Sequence, residues 1–246
     1  TDVLGTWDDH DYGLNDGGVE FKAKAASQQE FLNFMNVPES SELRKRKGVY
    51  NSKNYVIDGH EVRVILLDTR YFRTPLTPDT ETDKRIKPNE YGVGTILGDT
   101  QWNWLEKELQ NSTADFNIIV SSIQYLSQEH GFEAWGNFPH EVDRLAKLIE
   151  DTKPKGVVVL SGDRHISEFS KIKIEGIDYP LIDFTSSGLT HAYREFSGEP
   201  NKYRVGEVVY TESFGILEFD FKAKTVDFKI VGDNGNVLGQ LEQVYE

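Results

Sequence analysis

Two short and almost wholly apolar runs constrain the fold of this chain most strongly. They occupy residues 116–121 (FNIIVS) and 157–160 (VVVL), and a segment with apolar residues at helical spacing, opened by Pro139, lies between them. A strand covered on both faces has a continuous apolar sequence, whereas a half-exposed strand alternates polar and apolar residues. Proline is favoured in the first turn of a helix. The order strand, helix, strand therefore predicts an α/β layered fold.

The same alternation extends over most of the chain. Helices are predicted over residues 24–36 and from Gly98 onwards, and a long loop is predicted over 74–94. Beyond residue 165 the pattern changes to strands alone. Because no repeat or low-complexity linker divides the sequence, we expect a single domain over residues 1–246. The remaining predicted strands are 3–7, 49–56, 62–67, 168–174, 179–185, 214–221 and 226–231.

Composition excludes several classes of function. The 246 residues carry a formal net charge of −14, which argues against a nucleic-acid partner because phosphate backbones are bound by an excess of lysine and arginine. The absence of cysteine excludes disulfides, iron–sulfur clusters and thiolate zinc sites. No apolar run is long enough for a membrane span, and no signal peptide opens the sequence. Since the sequence begins at Thr1 within a strand-like segment, we expect that a natural N-terminal part is missing.

Two acidic loops follow short apolar segments and carry the residues best suited to chemistry. The first places four carboxylates around one histidine (8–16, DDHDYGLND), and the second reads GDRH at 162–165. Carboxylates this close repel one another unless a cation or hydrogen bonds balance them. Carboxylate oxygen and imidazole nitrogen suit Mn, Fe, Zn or Mg, and carboxylate alone suits Ca. At strand ends of an α/β sheet the loops predict a metal or phosphate site, into which a turn at Gly162 would point Asp163 and His165.

Six motifs occur in order along the chain: WDDHDYG at 7–13, LLDTRYFR at 66–73, QWNWL at 101–105, WGNFP at 135–139, LSGDRH at 160–165 and TSSGLTH at 185–191. Together they resemble the PhoD-like alkaline phosphatase group of the calcineurin-like metallophosphoesterases. The resemblance implies a four-layer α/β/β/α sandwich with two divalent or trivalent metal ions that hydrolyses phosphate esters. It also implies that the motifs supplying most ligands of the first metal precede residue 1.

The resemblance assigns roles to the two acidic loops. Asp9 takes the place of a metal-ligating asparagine, and His10 would donate a proton to the leaving oxygen or stabilise charge there. Asp11 would hold the His10 ring in orientation. Asp163 and His165 are implied to be metal ligands, and the replacement of softer ligands by carboxylates shifts one site towards Ca, beside Fe, Mn, Zn or Mg in the other.

Four residues outside these roles are weaker candidates. Gln124 lies where the superfamily usually places another metal ligand. Arg70 follows an apolar strand and could clamp a phosphate, although a salt-bridged scaffold arginine fits the same position. Arg164, within the second acidic loop, is a candidate substrate-binding residue. His191 is expected either to line the cleft or to make a structural hydrogen bond.

Three functions remain open at the level of the sequence. The first is a metal-dependent phosphomonoesterase or phosphodiesterase acting on a small phosphorylated substrate. The second is a non-catalytic scaffold or binding module, and the third is a hydrolase of phospholipids or phosphotriesters with the same metals. The resemblance suggests a periplasmic or secreted location. The sequence does not determine the oligomeric state.

Overall fold

The structure is a computed structural model that describes residues 2–245. The helices are α1 (Asp9–Tyr12), α2 (Lys24–Phe34), α3 (Gly98–Gln110) and α4 (Pro139–Thr152), with single 3₁₀ turns at Glu42–Arg44 and Trp135–Asn137. The strands are β1 (Asn51–Ile57), β2 (His60–Leu66), β3 (Thr77–Pro78), β4 (Ile86–Lys87), β5 (Phe116–Val120), β6 (Val157–Ser161), β7 (Ser167–Lys173), β8 (Pro180–Ser186), β9 (Arg204–Val209), β10 (Ser213–Asp220), β11 (Thr225–Gly232) and β12 (Val237–Val244).

A mixed seven-stranded sheet in the order β1-β2-β5-β6-β8-β7-β9 forms the framework. Strands β2, β5, β6 and β8 run parallel, while β1, β7 and β9 pair antiparallel to their neighbours. The two apolar runs become the central strands β5 and β6, as their sequences predict. Because the four parallel strands share one direction, the loops that follow them emerge at the same edge of the sheet.

A second, three-stranded antiparallel sheet of β10, β11 and β12 packs on the large sheet through aromatic side chains. The ring of Phe116 lies 5.0 Å from that of Phe219, and Phe184 meets Phe228 edge-to-face at 5.9 Å. Helices α3 and α4 are joined by Trp102, whose Nε1 donates to the buried Glu141 carboxylate at 2.7 Å. The predicted α/β class is confirmed. The four-layer arrangement and the single-domain organisation remain predictions.

Four local predictions differ from the structure. The loop predicted over 74–94 contains the short strands β3 and β4, which pair antiparallel. Residues 3–7 form no strand, because this segment is held by the Thr6 hydroxyl, which donates to the Leu67 carbonyl at 2.6 Å, and by the Trp7 indole rather than by a backbone ladder. Helix α2 ends at Phe34, short of its predicted end. Strand β9 was missed, since Gly206 in a left-handed conformation interrupts its alternation. Within residues 2–245, no helix is long and apolar enough to cross a membrane.

The carboxylate of Asp68, at the end of β2, ties the N-terminal segment to the large sheet. It is fully buried and accepts hydrogen bonds from the Trp7 indole and from the backbone amides of Val49, Arg70 and Tyr71, each at 2.9 Å. Four donors converge on two oxygens, so the charge is satisfied without a cation partner. The Asp68 carboxylate thereby fixes the position of the first acidic loop relative to the end of β2.

Asp68→Asn is expected to lower the free energy of unfolding by about 3 kcal/mol, because the new amide nitrogen faces N–H donors and leaves buried groups unpaired. Urea denaturation monitored by tryptophan fluorescence measures this loss. Asp220→Asn is the matched control: that exposed carboxylate also accepts two backbone amides, at 2.9 and 2.8 Å, and its loss should cost less than about 1 kcal/mol. Equal losses in the two variants would contradict the special role of Asp68.

Candidate active site

A cleft of about 1050 Å³ opens at the edge of the sheet where the parallel strands end. Its walls come from the first acidic loop, from the residues that follow β5 and β8, and from the loop after β6. Residues that are distant in sequence therefore meet because parallel strands deliver their following loops to one edge. Both acidic loops that the sequence singled out line this cleft.

Three carboxylates converge in the cleft. One oxygen or more from each of Asp8, Asp9 and Asp163 lies within 4.8 Å of the others. Both oxygens of Asp9 are fixed by backbone amides, since Oδ1 accepts from His10 at 2.7 Å and Oδ2 from Asp16 at 3.0 Å. Each oxygen retains a free lone pair, so Asp9 can be held rigidly and still bind a cation.

The loop after β6 aims Asp163 into the cleft through an unusual backbone. Asp163 and His165 both have left-handed conformations, with φ of 71° and 54°, whereas Gly162, where the sequence placed the turn, does not. The Gly162 amide instead donates to the Ser122 carbonyl at 3.1 Å and holds the loop against the end of β5. Left-handed non-glycine residues are uncommon and concentrate at functional sites.

The electrostatics of the cleft leave negative charge uncompensated. Burial, followed by the charges of Asp8 and Glu133, raises the pKa of Asp163 well above its ordinary range. Four carboxylates, those of the cluster and Glu133, face the guanidinium groups of Arg70 and Arg73. The carboxylates of this network thus outnumber the guanidinium groups that pair with them, and a cation would reduce the repulsion among them.

His10 and Asp11 both line the cleft, but the structure does not pair them through the ring. The His10 side chain is 82% exposed, and its Nε2 lies 3.9 Å from Asp9 Oδ1. The Asp11 carboxylate accepts from the Asp8 backbone amide at 3.4 Å. The carboxylate beside the imidazole is therefore that of Asp9, and the orienting role predicted for Asp11 stays a prediction.

His165 lines the cleft, and His191, which is not among the residues that line it, lies next to His165. The rings of His165 and His191 meet edge-to-face with centroids 5.0 Å apart. Burial, the charge of His191 and that of Arg164 lower the pKa of His165, which favours the neutral imidazole that binds metals. His165 lines the cleft but lies outside the three-carboxylate cluster, so its predicted role as a ligand remains a prediction.

The arginines of the site differ in their burial and in whether they line the cleft. Arg70 is fully buried between Asp8 and Glu133. Arg164 lines the cleft, where it pairs with Glu199 and lies 3.8 Å over the Phe132 ring. The cleft also contains an arginine that the sequence did not indicate, Arg85, which is 56% exposed and paired with Asp16.

A buried polar network lies beneath the cleft floor. The Gln124 amide nitrogen donates to Glu168 and to Thr185, each at 2.9 Å, and its oxygen has no hydrogen-bond partner among the described residues. Gln124 is fully buried and is not part of the cleft lining, so its role as a ligand is also still a prediction. Next to it, Asp183 accepts from two backbone amides, at 2.9 and 2.8 Å, and from the Ser161 hydroxyl at 2.7 Å.

Sequence reasoning missed Asp8 as a member of the carboxylate cluster and missed Glu133 and Arg85 altogether. Asp8 is one of three acids in the run Asp8, Asp9 and Asp11, and the sequence offers no sign of which of them share a side of the chain. Glu133 lies in the irregular segment between β5 and the 3₁₀ turn at Trp135–Asn137, and Arg85 lies between the short strands β3 and β4. No strand-end signal marks them, and only the tertiary fold brings them to the site.

Comparisons with known proteins show the family and the fold that this chain resembles. A model of the PhoD-like phosphatase family matches residues 3–214. Alkaline phosphatase D of Bacillus subtilis (strain 168) is 26% identical over 219 residues, which cover 74% of this chain and 36% of that protein. A solved structure of PhoD superposes with a TM-score of 0.68 at 19% identity and covers 97% of this chain and 51% of that one. The chain thus spans about half of the solved relative and about a third of the curated one.

The Asp183 network generates a pH-dependent expectation. Burial raises the pKa of Asp183 to about 6, so the native state holds its proton more tightly than the unfolded chain, where the pKa is near 4. Stability is therefore lost as the pH rises from about 4 to 6, by about 3 kcal/mol. Asp183→Asn keeps an oxygen for the two amides and a nitrogen for Ser161, and it should be more stable than the wild type above pH 6 but not below pH 4.

Thermal denaturation between pH 3.5 and 8 measures this difference, with the exposed Asp178→Asn as the control for loss of a charge. A gap between Asp183→Asn and wild type that stays constant over this range would contradict the raised pKa. A variant that is less stable at every pH would show that the ionised carboxylate is needed by the network.

Proposed function

Because this chain belongs to the PhoD-like phosphatase family, we propose that it hydrolyses phosphate esters at a metal centre bound by Asp8, Asp9 and Asp163. The observation that carries the proposal is the convergence of these carboxylates within 4.8 Å of one another in a cleft. Carboxylates repel at this separation, and a cation is the simplest group that removes the repulsion. The uncompensated charge in the cleft supports the same assignment.

The donor atoms fit a metal ion of the kind that the sequence implies. An all-oxygen set suits a hard cation such as Ca, Mg or Mn, and the imidazole of His165 would add a nitrogen for Fe, Zn or Mn at a second position. When bound, a divalent cation supplies Lewis acidity towards the phosphoryl oxygens and the attacking water. Asp8, Asp9 and Asp163 are the residues that would hold the cation.

The chain's own residues supply the proton and the substrate contacts. We propose that His10, exposed in the cleft beside Asp9, donates a proton to the leaving oxygen. Arg164 is held at the cleft wall by Glu199 and would contact a phosphate oxygen. The cleft volume of about 1050 Å³ exceeds what a phosphoryl group fills, so a diester with a second substituent fits as well as a monoester.

Replacing both Asp9 and Asp163 by Ala should abolish stoichiometric binding of Mn²⁺ and Ca²⁺, because only Asp8 of the cluster would remain. Isothermal titration calorimetry on the wild type and the double variant measures the binding, and nitrophenyl phosphate and bis-nitrophenyl phosphate assays measure the activity. Asp151→Ala with Asp178→Ala removes two exposed charges outside the cleft and should leave both unchanged. Stoichiometric metal in the Asp9 and Asp163 variant would overturn the ligand assignment.

His10→Ala should slow the hydrolysis of alkyl phosphates by roughly 100- to 10,000-fold and affect nitrophenyl esters little. A nitrophenolate departs without a proton, so the donor contributes little to that transition state. His60→Ala changes a histidine outside the cleft and should leave the ratio of the two rates at its wild-type value. Equal losses for both kinds of ester, together with lost metal, would show that His10 is a metal ligand instead.

A further inference from the structure

The most completely buried charge network of the site surrounds Arg70. Its Nε donates to Asp8 Oδ1 at 2.9 Å, its Nη2 donates to the same oxygen, and its Nη1 donates to Glu133 Oε2. The guanidinium has no exposed surface, and each of its three nitrogens has a carboxylate partner. A substrate in the cleft could contact Arg70 only by displacing one of these carboxylates.

The position of Arg70 is fixed from two sides. Its backbone amide donates to Asp68 Oδ1 at 2.9 Å, so its Cα is tied to the end of β2. On the far side, Glu133 is 1% exposed and forms a second ion pair, without hydrogen-bond geometry, through Oε1 to Arg73 Nε at 2.8 Å. The guanidinium of Arg70 is therefore held rigidly, with the N–H donors of its planar edge directed at Asp8.

The position of the Arg70 guanidinium determines which oxygen of Asp8 accepts its hydrogen bonds. Two guanidinium nitrogens occupy Oδ1, which leaves Oδ2 as the oxygen without a side-chain partner. The Asp8 side chain cannot rotate without breaking two charge-assisted hydrogen bonds. The Asp8 carboxylate is thereby held in the cluster with Asp9 and Asp163.

We infer that Arg70 is a positioning residue, which holds Asp8 so that Oδ2 faces the metal position and which does not contact the phosphate. The inference rests on the proposed function only as far as the metal centre. Two other roles give different results. If Arg70 acts by charge alone, any cation at this position should serve equally, and if it binds substrate, its loss should weaken phosphate binding and leave metal binding intact.

Arg70→Lys separates these roles because lysine keeps the positive charge but lacks the planar pair of donors. Positioning predicts a 10- to 100-fold loss of affinity for Mn²⁺ and Ca²⁺, the usual effect of removing a residue that orients a ligand. Calorimetric titration of the purified chain gives these affinities without any activity assay. Unchanged metal affinity overturns the inference, and unchanged metal affinity with weaker binding of inorganic phosphate assigns Arg70 to the substrate.

Arg204→Lys is the matched control. Arg204 Nε also pairs with a buried carboxylate, that of Glu168 at 2.6 Å, but neither residue lines the cleft. Both variants should lower the thermal midpoint, and only Arg70→Lys should lower metal affinity. Comparable losses of metal affinity in the two variants would show a general structural effect and overturn the inference.

Two further measurements keep the inference independent of how well Arg70→Lys folds. When Asp8→Asn is already present, adding Arg70→Lys should lower metal affinity little further. In the inferred role Arg70 affects the metal only through the Asp8 carboxylate, which this variant has lost. In the wild type, the assigned nitrogen resonance of Arg70 Nε should respond to Ca²⁺ and stay unchanged when inorganic phosphate is added. A response to phosphate overturns the positioning role.

The results for the proposed function are distinguishable from these. A wild-type chain that binds no divalent cation overturns the metal centre and the inference together. A chain that binds metal but hydrolyses no ester overturns the proposed activity and leaves the role of Arg70 standing. A chain that binds metal and hydrolyses esters, with Arg70→Lys unaffected in metal affinity, overturns the inference alone.

Discussion

Electrostatic repulsion among carboxylates is the constraint on which the geometry of this cleft depends most. Asp8, Asp9, Asp163 and Glu133 are brought to one edge of the sheet by loops that follow parallel strands or pack against them. Two unit charges 4 Å apart interact by roughly 4 kcal/mol near a protein surface, so the cluster strains the fold unless it is balanced. Two buried arginines supply part of the balance, and in the proposed function a cation supplies the rest.

Arg70, which supplies one of the balancing charges, is held in place by a second group of hydrogen bonds. The residues that make them have no proposed part in binding metal or substrate. The Asp68 carboxylate accepts the Trp7 indole and the Arg70 amide, and so joins the segment before Asp8 to the segment that carries its arginine partner. The position of Asp8 relative to Arg70 thus depends on one buried carboxylate at the end of β2. The motif LLDTRYFR at 66–73 is explained in this way, since its aspartate and first arginine act on the same loop.

The regular parts of the fold could be predicted from the sequence because their signals are local. The central strands β5 and β6 follow from continuous apolar runs, and α4 follows from its proline and apolar spacing. The loop at 162–165 is placed at this edge by the parallel strand that it follows, whereas the loop at 8–11 follows no strand and its preceding segment is held by the hydrogen bond from Trp7 to Asp68. Roles within each loop did not follow, because neighbouring acids are equivalent in sequence, and the burial of Arg70 and Gln124 depends on side chains far away along the chain.

The acidity of the cleft also bears on the proposed reaction. A phosphate ester is an anion, and the carboxylates of the cleft repel it. Arg70 cannot relieve this repulsion, because its charge is already shared by Asp8 and Glu133. Arg164 and the exposed Arg85 also line the cleft, although each is paired with a carboxylate, Glu199 and Asp16 respectively. The net charge of −14 does not by itself exclude the phosphorylated substrate proposed above, since a cation held by the three carboxylates would change the local charge at the site.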